Sequence, residues 1–306
     1  MFHRLRKLKR QLSNPYLLID KLLKDRLLLC ESYVSGHVAD FGCGEFRLSF
    51  PFRKRMTALW GIDNWLASNY HRYAPKDTRF FYGSIEKTPF QDRSFDCVMC
   101  TEVLEHVETP ERVVQEMARV LTDGGYLILS VPFNFFVHGA PNDFRRYTIY
   151  GLLVLLKNAK LELRAYAPVG NTSLALLNGL VTAIGFRKKM FLKSPAVVFL
   201  NIIGLLLRRL QHAQNLISDW GQQVNDRTQP LGYVLVAQKP IVAEKHLRPE
   251  EALGCPECHA PLVFSEKNIS CSKCQVQFPY YEGMPVLASK ENLHLEFEAT
   301  GERVTL

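Results

Sequence analysis

The sequence predicts a doubly wound α/β domain with a mostly parallel seven-stranded sheet, followed by a small C-terminal metal-binding module. Short apolar runs alternate with helical patterns from residue 37 to residue 169, which is typical of parallel strands covered on both faces. Two CxxC pairs lie close together near the C-terminus. A chain of 306 residues with 47% hydrophobic residues is long enough for one large and one small domain.

The N-terminal segment, residues 1–35, is predicted to be a basic amphipathic helical segment, because leucines recur at helical spacing over residues 15–34. Its basic start runs into no continuous apolar stretch with a cleavage site, so we expect no secretory signal peptide. The net charge of +8 and the pI near 9.0 favour an anionic partner, which could be RNA, an acidic lipid surface or a phosphorylated substrate.

The main domain is expected over residues 36–240. Thr109 can cap a helix that starts at Pro110 and ends at Gly124 and Gly125, and a second helix is expected from Thr148 to about Lys157. The predicted strands cover residues 37–42, 56–63, 79–85, 95–100, 126–133, 161–169 and 232–240.

An insert of about fifty residues, 171–218, separates the last two strands. It contains apolar runs at 173–186 and 195–207, joined by the basic stretch 187–193. Each run is shorter than the ~20 residues that a membrane-spanning helix needs. A hairpin lying in a membrane interface through residues 173–209, packing on the protein and dimerisation all remain open.

The segment VADFGCGEF joins an apolar strand to a turn with Gly42 and Gly44, where the missing side chains let the backbone approach a ligand. Arg47 stands where a full dinucleotide fingerprint has a third glycine. Asp63 ends the next strand and is placed to bond ribose hydroxyls. The turn therefore suits an adenosine-type ligand, although each residue alone also fits a purely structural role.

Several further motifs accompany this turn: GIDNW, IEKTPFQDRSFDCVMCTEVLEHV, EMARVLTDGGYLILSVP and PNDFRRYT. Together with DFGCG they resemble class I S-adenosylmethionine-dependent methyltransferases of the type 11 group, over about residues 37–148. The resemblance implies a Rossmann-like fold and S-adenosylmethionine as cofactor. It places Asp40, Gly42 and Gly44 at the methionine end, Asp63 at the ribose, Ser84 and Ile85 at the adenine, and Thr101 and Glu102 beside the cofactor. Ser84 departs from the aspartate that is frequent there, and Glu45 to Arg47 replace smaller residues.

The acceptor is expected beyond the fourth and fifth strands, because ligands of open α/β sheets collect at the carboxyl ends of the strands. We assign the general base to His138 first and to Asp143 second. A structural ion pair between Asp143 and an arginine is the alternative, as is capping by the Glu105–His106 pair. The predicted acceptor-binding residues are Glu105, His106, Asn142, Arg145 and Arg146, and the two arginines could clamp a phosphate or carboxylate.

Cys255, Cys258, Cys271 and Cys274 form two CxxC knuckles that twelve residues separate, and four thiolates suit one tetrahedral, structural zinc ion. Residues 252–290 resemble the zinc-ribbon activator subunit that binds several methyltransferases. Residues 241–251 read as a linker and residues 291–306 as a tail. Cysteines in such pairs fit metal ligation in a reducing, cytoplasmic compartment, with peripheral attachment at the inner face of a membrane as a further possibility.

The sequence thus predicts methyl transfer to an oxygen or nitrogen acceptor, with a glycan, lipid-linked or small-molecule acceptor as the first choice. A tRNA or protein methyltransferase with a fused activator module is the alternative. A different class is a non-catalytic binding or scaffold protein with a degenerate cofactor site.

Overall fold

The computed structural model describes residues 11, 12, 14, 16–64, 78–186, 195–215, 229–241, 254–265, 268–281, 284 and 285. The predicted basic start at 1–10, the basic stretch 187–193, residues 242–251 of the linker and the tail 291–306 lie outside these residues. The main domain contains the strands β1 Gly36–Phe41, β2 Met56–Asp63, β3 Arg79–Tyr82, β4 Phe95–Thr101, β5 Leu121–Pro132, β6 Glu162–Val169 and β7 Gly232–Gln238. Its helices are α1 Leu17–Leu28, α2 Pro110–Val120, α3 Ile149–Asn158, α4 Thr172–Phe186 and α5 Pro195–Asn215.

The seven strands form one sheet in the order β3-β2-β1-β4-β5-β7-β6. The pairs among β1 to β5 are parallel, whereas β7 runs antiparallel to both β5 and β6. This confirms the predicted doubly wound, mostly parallel sheet. Because the chain leaves β1 in one direction and returns to β4 on its other side, the switch point of the sheet lies between these two strands.

Two details of the predicted helix α2 are wrong. The helix ends at Val120, and β5 begins at Leu121 and contains Gly124 and Gly125, so these glycines do not end the helix. Within the described chain Thr109 makes no capping bond, because its hydroxyl donates to Glu86 Oε1 at 2.6 Å instead. Thr148 does cap α3, where its hydroxyl accepts from the Gly151 amide.

Helices cover both faces of the sheet. On one face α2 and α3 bury an apolar stripe against β4 and β5, and this core includes the packed rings of Trp60, Phe81, Phe90 and Phe95. On the other face α1 and α4 pack over β1, β6 and β7 through residues such as Leu22, Leu23 and Leu174. The continuous apolar strands of the sequence therefore reflect burial on both sides.

The insert forms two helices that pack on each other and on α1. Asn201 of α5 donates hydrogen bonds to the carbonyls of Leu12 and Asn14, and Arg208 pairs with Asp25 of α1 at 2.5 Å. Among the helices that the structure describes, none is both long and apolar enough to cross a bilayer. The helices leave large apolar side chains exposed, at Leu176, Leu180, Ile184, Phe199, Ile202 and Leu206.

A second, antiparallel sheet follows the main domain, with strands β8 Leu262–Phe264, β9 Asn268–Cys271, β10 Gln277–Tyr281 and β11 Met284–Pro285. Phe278 and Ile269 of this sheet are buried together with the core beside α2. The Gly254 amide donates to the carbonyl of Pro89, and Lys87 lies 3.5 Å from Glu257. The segment that leads into the small sheet thus contacts the loop that follows β3.

Candidate functional site

A cleft with a volume of about 760 Å³ opens at the carboxyl ends of β1, β2 and β4, next to the switch point of the sheet. A volume of this size suits a nucleoside-sized ligand. Residues predicted to bind the cofactor line it together with residues predicted to bind the acceptor, namely Gly42, Gly44, Asp63, Ser84, Ile85, Glu102, His106 and Asn142. The sequence motifs therefore converge on one site, while the role of each residue stays a prediction.

The glycine turn after β1 forms one wall of the cleft. Gly42 and Gly44 have φ angles of +71° and +47°, a region that side chains disfavour. The Gly44 amide donates to Asp63 Oδ2 at 2.8 Å, which ties the turn to the end of β2. A Cβ on Gly44 would meet no described atom within 4 Å, whereas a Cβ on Gly42 would lie 2.5 Å from Val103 Cγ2. Gly44 thus offers open space to a ligand, and Gly42 lets the loop after β4 pack closely.

Asp40 is buried beneath this turn, with 3% of its surface exposed, and lies outside the cleft lining. Burial raises the pKa of its carboxyl to about 7, the Ser49 hydroxyl partly offsets this, and the nearby charge of Asp63 adds to it. The resemblance placed Asp40 against the cofactor; the structure places it behind the glycines. From there it can act on a ligand through charge.

Glu102 follows β4 and lines the cleft. Its backbone is left-handed, with φ +57°, and its amide bonds to the carbonyl of Ser130 at 3.0 Å. The Ser130 hydroxyl donates to Glu102 Oε1 at 2.8 Å, and burial raises the pKa of the carboxyl to about 7. Thr101 is the last residue of β4 and is buried behind the lining.

The loop after β3 forms the part of the cleft that contains Ser84 and Ile85, the residues predicted to border the adenine. Ser84 accepts a hydrogen bond from the Glu86 amide at 3.2 Å, so its hydroxyl shapes this loop. Sequence reasoning missed nine further lining residues, which are Asn64, Gly83, Glu86, Val103, Val107, Glu108, Thr109, Arg112 and Phe144. Five of them directly follow a predicted site residue, as Asn64 follows Asp63, and this adjacency was the available signal.

The loop after β5 is held by an ion pair between Asp143 and Arg146. Two hydrogen bonds of 2.6 and 2.8 Å join these side chains, and Asp143 Oδ2 also accepts from the His138 amide at 2.7 Å. Arg146 holds the pKa of Asp143 well below its usual range. A carboxylate in this state is a poor proton acceptor, so the structural alternative describes Asp143 better than the role of base.

The two arginines contact the chain itself. Arg145 donates to the carbonyl of Val107 at 2.8 Å, and Arg146 donates to the carbonyls of Phe135 and Phe136. The Arg145 bond fixes the loop between β5 and α3 against the turn after β4, and the Arg146 bonds hold the two ends of this loop together. The predicted clamp on an anionic acceptor would have to compete with them.

Behind this loop lies a cluster of Glu105, His106 and His138. Glu105 is fully buried on the 3₁₀ turn Leu104–His106, and its Oε1 lies 3.7 Å from His106 Nε2 and 3.8 Å from His138 Nε2. Burial raises the pKa of Glu105 well above its ordinary value and lowers that of His138. Of the two histidines, His106 lines the cleft. His138, the first predicted base, is held one layer further back.

The four C-terminal cysteines meet in the small sheet. Their sulfur atoms all lie within 4.8 Å of one another, with 3.6 Å between the sulfurs of Cys258 and Cys271. The Cys274 amide points at the sulfur of Cys271 at 3.4 Å, as in a metal-binding knuckle. Four converging thiols fit a tetrahedral zinc ion, which leaves no open position for a substrate.

Comparison with known proteins supports a methyltransferase domain. The family described as "Methyltransferase domain" matches residues 39–129. The ubiquinone biosynthesis O-methyltransferase of Coxiella burnetii is 30% identical over 99 residues, which are 31% of this chain and 42% of that enzyme. The uncharacterized methyltransferase YcgJ of Bacillus subtilis is 30% identical over 120 residues, or 37% of this chain and 45% of the relative.

The chain therefore spans less than half the length of these relatives. Among solved structures, the [4+2]-cyclase SpnF aligns with a TM-score of 0.48 and 19% identity, over 72% of this chain and 81% of that one. The matched region 39–129 holds the glycine turn, Asp63 and Glu102, and thus most of the cleft. The strand order, with β7 antiparallel to its neighbours in a sheet that is otherwise parallel from β1 to β5, gives the doubly wound, Rossmann-like fold that the sequence predicts.

Proposed function

We propose that this protein is an S-adenosylmethionine-dependent methyltransferase that acts on an oxygen or nitrogen acceptor. The observation that carries the proposal is the cleft at the switch point, where the glycine turn, Asp63 and Glu102 line a volume of about 760 Å³. A methyltransferase domain matches the residues that build it. Ligands of open α/β sheets bind at this place.

In this proposal the chain binds S-adenosylmethionine along the cleft. Gly44 offers its open face to the methionine end, Asp63 bonds the ribose, and Ser84 and Ile85 border the adenine. Bound cofactor supplies a methyl group whose bond to sulfur breaks, with the electrons left on sulfur, as the lone pair of the acceptor atom bonds the carbon. The Asp40 carboxyl beneath the turn favours a cationic ligand when it is ionised.

We place activation of the acceptor on His106 and His138. His106 reaches the cleft, and burial favours the neutral form of the His138 imidazole because it lowers the pKa of that ring. A proton that an acceptor hydroxyl or amine loses would pass to one of these rings. Asp143 supports them by holding the backbone of His138.

For the acceptor we favour a glycan, lipid-linked or small molecule over tRNA or protein. Arg145 and Arg146 are engaged with Val107, Phe135, Phe136 and Asp143, which favours an acceptor recognised through hydroxyl groups over one gripped by its phosphates. The named relative from Coxiella burnetii acts in ubiquinone biosynthesis and gives a precedent for a lipid-linked acceptor.

Peripheral attachment to an anionic membrane fits this choice. Exposed apolar side chains follow one face of α4 at Leu176, Leu180 and Ile184, and one face of α5 at Phe199, Ile202 and Leu206. The insert leaves β6 and enters β7 at the sheet edge where the cleft opens. The basic sequence 187–193 joins the two helices, and the net charge is +8.

We also propose that the four cysteines hold a structural zinc ion in a C-terminal ribbon fused to the methyltransferase. Substitution of Cys255 by serine should remove the ion and unfold the small sheet, because a closed thiolate site contributes its binding energy to folding. Metal analysis of the variant tests this; unchanged zinc content would contradict it.

Calorimetry with S-adenosylmethionine tests the main proposal. The wild-type protein should bind the cofactor, and Asp63→Asn should bind it at least about tenfold more weakly, since about 1.4 kcal/mol corresponds to that factor. Glu111→Gln, an exposed change on α2, is the matched control and should leave binding unchanged. A folded wild-type protein that binds no cofactor would instead support the binding or scaffold role.

A further inference from the structure

A fully buried carboxylate without a hydrogen bond stands beside the proposed acceptor site. Glu105 is 0% exposed, and neither of its side-chain oxygens has a hydrogen-bond partner among the residues that the structure describes. Leaving such a group unpaired costs free energy, and an ion is one of the few things that remove the cost. The two imidazoles at 3.7 and 3.8 Å are too far away to do so by hydrogen bonding.

Both histidines turn their second nitrogen toward this carboxylate. His106 Nδ1 lies 2.5 Å from the carbonyl of Asn142, and His138 Nδ1 lies 3.3 Å from the carbonyl of Phe136. A carbonyl only accepts, so His106 Nδ1 carries the proton and His106 Nε2 keeps its lone pair. His138 Nδ1 also lies 3.4 Å from Arg146 Nη2, which only donates, so His138 offers a lone pair at Nε2 in the tautomer that bonds the Phe136 carbonyl. A backbone carbonyl on the far nitrogen is the usual outer partner of a metal-bound histidine.

The carboxylate of Glu105, when it is ionised, and the two Nε2 atoms therefore supply three potential ligand atoms. One ligand atom from each of Glu105, His106 and His138 lies within 4.8 Å of the other two. Ligands at about 2.0 to 2.2 Å from a metal ion lie roughly 3.0 to 3.6 Å apart, so one ion would draw each imidazole toward Glu105 by a few tenths of an ångström and the two imidazoles toward each other by up to about 1.5 Å. The charge of the neighbouring Arg146 is offset by its pair with Asp143.

We propose that Glu105, His106 and His138 bind a divalent transition metal ion at the acceptor end of the cleft. Two imidazoles and one carboxylate suit Zn²⁺, Fe²⁺, Co²⁺ or Mn²⁺, and exclude the all-oxygen preference of Mg²⁺ and Ca²⁺. Three protein ligands leave coordination positions open.

The open positions give the ion a role, and this role rests on the proposed methyl transfer. His106 lines the cleft, so the ion would lie within reach of an acceptor oxygen there. A metal-bound hydroxyl loses its proton more easily than a free one. In the metal-loaded protein the ion would thus replace the imidazoles as the group that activates the acceptor, and the proton that the bound hydroxyl loses would pass to water in the cleft.

Metal counting on the full-length protein tests the binding itself, without cofactor or acceptor. After loading with Co²⁺, the wild-type protein should hold two ions per chain: one at the four cysteines, with thiolate-to-cobalt charge-transfer absorption, and one without it. Glu105→Gln and His138→Ala should each lose the second ion and keep the charge-transfer band. Glu111→Gln is the charge-matched control and should keep both ions.

A wild-type protein with only a thiolate-bound ion would overturn the proposal, as would a second ion that survives in both variants. One ion without the charge-transfer band, lost in Glu105→Gln, would support the proposal and refute the cysteine site. Calorimetry with S-adenosylmethionine on the same samples separates the two proposals, since failure to bind the cofactor refutes the methyltransferase and leaves the metal count standing. For a variant that does not fold, stepwise titration of the wild type with Co²⁺ decides.

Discussion

Adding one methyl group to each of the two cleft glycines should damage the protein in two different ways. Gly44→Ala places its Cβ where no described atom lies within 4 Å, in a left-handed backbone with φ +47°. The strain of that conformation costs about 1 to 2 kcal/mol. Because the Cβ projects from the wall of the cleft, S-adenosylmethionine affinity should fall at least about tenfold.

Gly42→Ala causes the same backbone strain and, in addition, a steric clash. Its Cβ would lie 2.5 Å from Val103 Cγ2, closer than real Cβ atoms approach. Overpacking of this kind costs about 1 to 3 kcal/mol, so the total loss should reach about 2 to 5 kcal/mol. Val103→Ala in the same chain removes the clashing methyls and should recover the overpacking part.

Chemical denaturation and calorimetry measure the two effects separately. The reasoning predicts that Gly42→Ala loses more stability than Gly44→Ala, and that Gly44→Ala loses affinity out of proportion to its stability. Unchanged cofactor affinity in Gly44→Ala would refute the assignment of this turn to the cofactor. An equal loss of stability in Gly42→Ala with and without Val103→Ala would refute the clash.

Two further predictions concern buried carboxyl groups. The pKa of Asp40 is about 7 in the folded protein, whereas the unfolded chain releases this proton near the ordinary pKa of 3.8, so rising pH should reduce stability between these values. Asp40→Asn should flatten this dependence by an amount on the order of a few kcal/mol, in unfolding measured at pH 5 and pH 8. Glu116 accepts from the amide and hydroxyl of Thr88 and pairs with Arg119 at 2.7 Å. Glu116→Ala should cost about 2 to 4 kcal/mol, whereas Asp92→Ala, whose side chain is 69% exposed, should cost less than about 1 kcal/mol; equal losses would contradict this.

Much of the fold could be predicted because its strands are apolar along their whole length. β2 was predicted to the residue, since Met56 follows a basic turn and Asp63 ends the apolar run. β5 was predicted five residues too short at its start, because Gly124 and Gly125 read as a helix end. In the folded protein Gly124 and Gly125 pair with Lys239 across to β7, a contact between residues more than one hundred positions apart.

Parts of the candidate site could likewise be predicted from the sequence, and other parts could not. The glycine turn and Asp63 are recognisable from local spacing, because a strand, a tight turn and the next strand end suffice to define them. The neighbours of Glu105 could not be predicted, since His138 approaches it from a loop that lies 33 positions away in the sequence. That its oxygens lack hydrogen bonds is also not readable from the sequence, because it depends on which groups surround the folded side chain. An ion pair between Asp143 and an arginine was one of the predicted alternatives. The spacing of the residues alone did not decide whether Arg145 or Arg146 is the partner.

Membrane attachment through the insert can be tested with a control of the same exposure. Leu180 on α4 is 56% exposed, and Val154 on α3, on the opposite face of the sheet, is 57% exposed. Burying a leucine side chain in lipid contributes about 1.5 to 3 kcal/mol, so Leu180→Glu should lower binding to vesicles of anionic phospholipid by at least about tenfold. Val154→Glu adds the same charge at a place that the proposal leaves in water, and should bind as the wild type does.

Flotation of the full-length protein on vesicles measures the binding of both variants. If the two variants lose binding equally, net charge rather than the apolar face drives attachment; if the wild type stays at the bottom of the gradient, the exposed leucines of α4 and α5 serve another purpose than lipid binding.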